Sequence, residues 1–309
     1  GMEISLYLSY LRNVQLLSES TVRNKEQYLY QFFCYMEKHS LTLDNLSIEV
    51  IEDFFASMDY SLTSRHNCSS TLRIFFRYAH DNGITAKNNS IFVMTDNYNK
   101  HSKVPTTYDE NEIRRIIASV ERSSGIGKRD YLILLLASEY GWRSSDIVNF
   151  RFSHIDWDKN VISFSQHKTG MPVEYPLLSS VGNAIIEYLK HGRPVTDAEE
   201  IIVSEETAKK GKPLSTPTVH SIVAKYMRKA NIKNWKSKKH GPHSLRHSLA
   251  TNMLKKNVSM PIISTILGHQ NTESTKLYLK VDVEKLKQCP LSMPRICSKH
   301  YSEGGKKHE

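Results

Sequence analysis

Near the end of the sequence stands a set of cations and imidazoles followed by one phenol: His243-Ser-Leu-Arg246-His247, then Leu267-Gly268-His269, then Lys276-Leu277-Tyr278. These side chains suit phosphoryl transfer. The non-bridging oxygens of a phosphoryl group in transfer carry charge that fixed donors stabilise, and arginine supplies a planar, permanently charged fork. His243 and Arg246 are three residues apart and His243 and His247 four. On a helix all three therefore project from one face, with Leu245, Leu249 and Ala250 toward a more apolar side. A tyrosine, with a solution pKa of about 10, needs a base and a positive field to act as a nucleophile at neutral pH. Tyr278 is the candidate nucleophile and His243 a candidate base. The His243/His247 pair lacks the glutamate of the helical zinc-protease pattern, so no metal is expected.

The elements that must position these residues read as helices. Residues 3 to 17 carry Ile4, Leu6, Leu8, Leu11 and Leu16 at helical spacing, and a second helix starts near Ser18 to Ser20 and runs to about Lys38. A third follows Ser47, and a fourth, about Thr63 to Asp81, stops at Asn82-Gly83. Periodicity is lost between Ile84 and Thr106. Thr107-Tyr-Asp-Glu110 then reads as a capping box opening a helix to about Arg122. Lys128 to Tyr140 is an apolar helix ending at Gly141, and Val161–Ser165 and Val173–Leu177 read as a hairpin around His167-Lys168-Thr169-Gly170. Helices over Ser179–Lys190, Pro217–Lys229, His243 to about Lys255, Pro261–Leu267 and Asn271–Leu279 are expected, with a short strand over Glu200–Val203. The fold class is mainly α: an all-α N-terminal domain over residues 1–90, a linker over 91–105, a mixed, mostly helical domain with a small β-hairpin sheet over 106–288, and a tail over 289–309.

The chain has 309 residues, 42 Lys and Arg against 32 Asp and Glu, and a net charge of +10, which favours a polyanionic partner. From Thr207 to His243 there are ten Lys or Arg residues and no acidic one, so Lys238 and Lys239 are expected, with their neighbours, to meet a nucleic-acid backbone. At 39% hydrophobic, with no apolar run near the length of a membrane span and no signal segment at Gly1-Met2-Glu3-Ile4, the protein is expected in the cytoplasm, away from membranes. Cys34, Cys68, Cys289 and Cys297 show no paired zinc spacing and read as reduced thiols. No Gly-x-x-x-x-Gly-Lys-Ser/Thr loop is present, and no cofactor is expected.

Taken together, Tyr140-Gly141-Trp142-Arg143-Ser144-Ser145-Asp146, His167-Lys168-Thr169-Gly170, His243-Ser-Leu-Arg246-His247-Ser-Leu-Ala-Thr, Leu267-Gly268-His269 and Tyr278 resemble the ordered boxes of the tyrosine recombinase (phage integrase) family. Trp142 stands where that family usually has a small aliphatic residue, and Ser144-Ser145-Asp146 replaces a commoner run ending in Glu. The resemblance implies that Arg143, Arg246 and His269 clamp a DNA phosphate, that Lys168 protonates the leaving 5' oxygen, and that His243 manages the proton of Tyr278. It implies a 3'-phosphotyrosyl intermediate formed without metal or ATP, on double-stranded recombination sites, by a tetramer on DNA that is a monomer or weak oligomer without it. The N-terminal module, notably Thr71-Leu-Arg73-Ile-Phe-Phe-Arg77-Tyr78, resembles the SAM-like core-binding domain of Xer-type recombinases, with Lys25, Arg65, Arg73 and Arg77 as candidate phosphate contacts. A type IB topoisomerase, a metal-dependent nuclease built on Asp156 and Asp158, and a non-catalytic DNA-binding regulator are the competing readings.

Overall fold

Residues 2–94 and 105–269 are described by the computed structural model; the proposed 270–288 segment with Tyr278, the tail 289–309 and most of the linker lie outside them. The chain divides into two units, residues 1–102 and 103–309.

The first unit is all-α, with helices α1 (Met2–Asn13), α2 (Glu19–Lys38), α3 (Ile48–Ser57) and α4 (Leu62–Asp81). Ser18, Ser47 and Ser61 cap α2, α3 and α4 by accepting from the backbone N–H three residues on, which satisfies a first-turn donor in each. Its core is aromatic: Phe32 packs edge-to-face on Phe54 and Phe76 at 5.1 and 5.6 Å between ring centroids. Two expectations shift. Helix α1 ends at Asn13, because Leu16, counted as an apolar helical position, has φ +50° and is exposed. The stretch after Gly83, aperiodic in sequence, packs back onto α4: Thr85, Asn89, Ser90 and Val93 are buried, and Asn89–Phe92 forms a 3-10 turn.

The second unit carries α5 (Glu110–Ala118), α6 (Gly125–Glu139), α7 (Ser144–Val148), β1 (Ile155–Asp156), β2 (Val161–Ser165), β3 (Pro172–Pro176), α8 (Ser179–His191), α9 (Thr216–Lys229), α10 (Pro242–Lys255) and α11 (Met260–Leu267). The sheet is antiparallel in the order β1-β2-β3, with Ile162 opposite both Ile155 and Tyr175. The apolar run of α6, from Leu132 to Ala137, is fully buried at the centre of the unit.

Three local readings are corrected. The capping box is Asp109 with Glu112, two residues later than expected: the Asp109 carboxylate accepts from the Glu112 N–H at 2.8 Å and Glu112 accepts from the Asp109 N–H at 3.0 Å. Helix α6 begins at Gly125, capped by Ser124, ahead of Lys128. Glu200–Val203 forms no strand; Glu200 and Val203 make isolated bridges to Arg151 and Pro213.

Trp142 fills the space between α6 and the sheet. Fully buried, it stacks on Tyr140 at 5.4 Å and meets Phe150 and Phe164 edge-on at 4.9 and 4.8 Å. Its bulk is therefore taken up by an aromatic cluster that joins the turn after α6 to the hairpin. Truncation, Trp142→Ala, is expected to destabilise this unit by about 3–5 kcal/mol, the range for large aromatic-to-alanine cavities. A urea titration following the second unit checks it, and an unchanged midpoint would refute the packing role.

Candidate active site

Two glycines let the backbone approach closely enough to build the site. Gly141 follows α6 at φ +65°, and a Cβ there would lie 3.1 Å from both Leu249 and Leu267. This close approach brings the Gly141 carbonyl within 2.8 Å of Arg246 Nη1. Gly268 caps α11 in the left-handed region at φ +59°, and the His269 N–H turns back to Ser264 O at 3.0 Å. The end of α11 presents carbonyls that need donors. Tyr175 of β3 donates to Ile266 O at 2.9 Å, and Arg246 Nη2 donates to Leu267 O at 2.5 Å. Arg246, only 3% exposed, is thus fixed between the turn after α6 and the end of α11.

Arg143 occupies the N-cap of α7. Its Nη1 donates to Gln166 Oε1 at 2.6 Å and lies 4.0 Å from the buried Asp146 carboxylate. Asp146 also accepts from the Arg143 N–H at 3.4 Å and the His167 N–H at 3.0 Å, tying α7 to the hairpin. Asp146, 2% exposed, is thus an interior group that orients both the arginine and the turn. Gln166 Nε2 donates in turn to Leu267 O at 3.1 Å. The two guanidiniums therefore stand one amide and one carbonyl apart.

The imidazoles report the same convergence. Burial, then the charges of Arg246, Lys168, Arg143 and His220, hold His243 below the ordinary histidine range. His243 reaches the surface, but the protein around it still strips hydration from its charged form. His247 is pushed down to about 4 by burial, then by His243, Arg246 and Lys239. His269 falls to about 3 through burial, then Arg246, Arg143 and His247. With their pKa values lowered, all three favour the neutral form at pH 7, which can donate a hydrogen bond without adding charge. Lys168 is exposed on the hairpin turn, where its charge is felt at His243. His220, on α9, was not picked out from sequence; its ring lies against Gly241, where a Cβ would meet it at 2.5 Å. Tyr278 lies outside the described residues, among which no cluster of three or more His, Cys, Asp or Glu side chains able to hold a metal occurs.

A stability prediction follows from the lowered imidazoles. Below the free value of 6.5 the unfolded chain binds protons that folded His247 and His269 refuse, so stability falls as pH drops from about 6.5 toward their folded values near 4 and 3. Denaturation midpoints measured across that window are expected to fall less steeply in a His247→Asn/His269→Asn variant; parallel curves would contradict it.

The candidate backbone contacts divide by what they already hold. Arg73 donates to Val93 O and Met94 O, at 3.2 and 2.7 Å from Nη2, and Arg65 lies over the Phe55 ring. Lys25 is half-buried, which lowers its pKa through lost hydration, and Arg77 is exposed. In the basic run, Lys238 is bound to both Glu112 oxygens at 2.6 and 2.9 Å, while Lys225 and Lys229 pair with Asp130 and Glu121. Lys209, Lys210, Lys212, Arg228, Lys233, Lys236 and Lys239 are exposed. Asp156, offered by sequence as half of a nuclease pair, accepts from the Lys159 N–H at 2.9 Å in the β1–β2 turn.

Comparison with known proteins bears on the same residues. A putative integrase/recombinase of Sinorhizobium fredii is 35% identical over 192 residues, covering 62% of this chain and 97% of that protein. The tyrosine recombinase XerA of Pyrococcus furiosus is 32% identical over 189 residues, 60% of each chain. Among solved structures, the XerH site-specific recombinase bound to palindromic difH substrate superposes with a TM-score of 0.72 at 18% identity, over 92% of this chain and 82% of that one. A lambda integrase dimer bound to a COC' core site gives 0.67 at 19% identity, over 90% and 94%. The N-terminal SAM-like domain of phage integrases matches residues 4–83, and the phage integrase family pattern matches residues 106–285, more than half the chain and all of the geometry above. The chain accordingly belongs to the phage integrase family, the tyrosine recombinases.

Proposed function

We propose that this protein is a site-specific DNA recombinase that cuts and rejoins strands through a covalent tyrosine intermediate. Tyr278 Oη attacks a DNA phosphorus in line and the bond from phosphorus to the 5' oxygen breaks. The phenolic proton passes to His243, and the leaving oxygen takes a proton from Lys168. The product is a 3'-phosphotyrosyl link and a free 5' hydroxyl. Because the link conserves the phosphodiester, a partner strand's 5' hydroxyl reverses the step with no ATP or metal. Arg143, Arg246 and a neutral His269 donate to the non-bridging oxygens as charge develops there.

The observation that carries this reading is the convergence of Arg143 and Arg246, from α7 and α10, through Gln166 and the Leu267 carbonyl. Lys25, Arg65, Arg77, Lys239 and the exposed lysines before α10 supply the sequence-independent hold on the duplex. Arg73 and Lys238 act through the contacts they already make. Exchange between strands calls for paired sites and a tetramer on DNA.

The test is a nicked suicide duplex taken from the protein's own genomic neighbourhood. Incubation is expected to give a protease-sensitive, EDTA-insensitive covalent band on a denaturing gel. Relaxation of supercoils by a monomer without paired sites would favour the topoisomerase reading, and binding with no covalent band on any such duplex would leave only a DNA-binding regulator.

A further inference from the structure

One side-chain amide lies between the two guanidiniums, on a residue whose backbone closes the hairpin turn. The hairpin is closed by Gln166's backbone: its N–H donates to Met171 O at 2.9 Å and its carbonyl accepts from the Gly170 N–H at 2.8 Å. The side chain is 1% exposed and carries contacts of its own. Its Oε1 accepts from Arg143 Nη1 at 2.6 Å and from the Thr169 hydroxyl at 2.9 Å, and its Nε2 donates to Leu267 O at 3.1 Å. Leu267 O is also the acceptor for Arg246 Nη2, and His269 is two residues further on. Gly268 lies flat against this amide: a Cβ there would stand 2.5 Å from each of Gln166 Cδ, Nε2 and Oε1.

We propose that Gln166 is a positioning residue that sets the spacing of Arg143 and Arg246 and the placement of His269 across one phosphate. This role rests on the strand-cleavage reading above. The requirement is for an amide of this length, because it must accept from a guanidinium on one side and donate to a carbonyl on the other. Leucine keeps the volume and loses both functions. Glutamate keeps the acceptor for Arg143 and presents a second acceptor to Leu267 O in place of a donor. Asparagine is one methylene short. The same account explains why residue 268 has no side chain, since Gly268→Ala drives the amide away from the opposite side.

The experiment compares the unmodified chain with Gln166→Leu, Gln166→Glu and Gly268→Ala. It records single-turnover covalent-complex formation on the suicide duplex, duplex affinity and thermal midpoint, and repeats the kinetics with a neutral methylphosphonate at the scissile position. Misplacement of a clamp by a fraction of a bond length is expected to slow Gln166→Leu by about 100-fold with duplex affinity unchanged. Gln166→Glu should fall between it and the unmodified chain, and Gly268→Ala should reproduce the Gln166→Leu defect. The defect should shrink on the methylphosphonate, where less charge awaits the guanidiniums. A Gln166→Leu protein that cleaves at the unmodified rate overturns the positioning role and leaves strand cleavage standing. An equal defect on both substrates with a lowered thermal midpoint also overturns it, in favour of general destabilisation. Absence of a covalent complex from the unmodified chain overturns strand cleavage and the positioning role together.

Discussion

Arg246→Ala is expected to slow covalent-complex formation by about 10²–10³-fold, the effect of removing one preorganised donor from an oxyanion-type site, and to destabilise the second unit as well. The dual effect follows from where the guanidinium is held. Arg246 is buried and donates to Gly141 O and Leu267 O, carbonyls contributed by segments 105 and 21 residues away in sequence. Without it, the Gly141 carbonyl loses its side-chain donor, at about 1–3 kcal/mol where nothing replaces it, while Leu267 O keeps the Gln166 amide. Lysine does not rescue the loss, because an ammonium is a point donor and cannot span two carbonyls while facing a phosphate. Arg143→Ala makes the useful comparison: its guanidinium bonds to the Gln166 amide and lies 4.0 Å from the buried Asp146 carboxylate, so the rate should fall and stability should fall too, through the uncompensated Asp146 charge. Single-turnover kinetics beside thermal melting separate the two effects. An Arg246→Lys protein with full activity and an unchanged melting midpoint would rule out both halves of the argument.

The second large effect is qualitative. Tyr278→Phe removes one oxygen and keeps the ring, so duplex binding, proposed above to rest on lysines and arginines, should survive while the covalent complex disappears. A native gel and a denaturing gel run on the same samples report the two properties separately. A non-catalytic regulator predicts the opposite, that Tyr278→Phe changes nothing.

What could be read in advance was what depends on neighbours in the chain. The spacing of His243, Arg246 and His247 requires only a helix, and α10 spans them. Gly141 ahead of Arg143 is a local signal, and so are the serine caps and the stop at Asn82-Gly83. Errors arose where a local pattern had two solutions. Thr107 and Asp109 each stand three residues before a glutamate, and the structure uses the aspartate. Leu16 continues an apolar period that the left-handed backbone at that residue breaks. Contacts between distant segments were not legible at all. Gln166 carries no local signal of its role, because its partner Leu267 is 101 residues away. Lys238 looked like part of a nucleic-acid-facing run because Glu112, 126 residues earlier, does not announce itself as its partner. Trp142 looked like a departure, and only the assembled ring cluster of Tyr140, Phe150, Phe164 and Tyr175 shows what it fits.

Strand cleavage as proposed leaves the Tyr278 phenolic oxygen bonded to a DNA phosphorus. Trapping the complex on a suicide duplex, digesting it with trypsin and nuclease, and locating the nucleotide by mass spectrometry tests it directly. The tryptic fragment between Lys276 and Lys280, Leu277-Tyr278-Leu279-Lys280, contains a single tyrosine. This fragment is expected to carry the adduct through a 3' phosphate. An adduct on any other residue, or a 5' linkage, would contradict it.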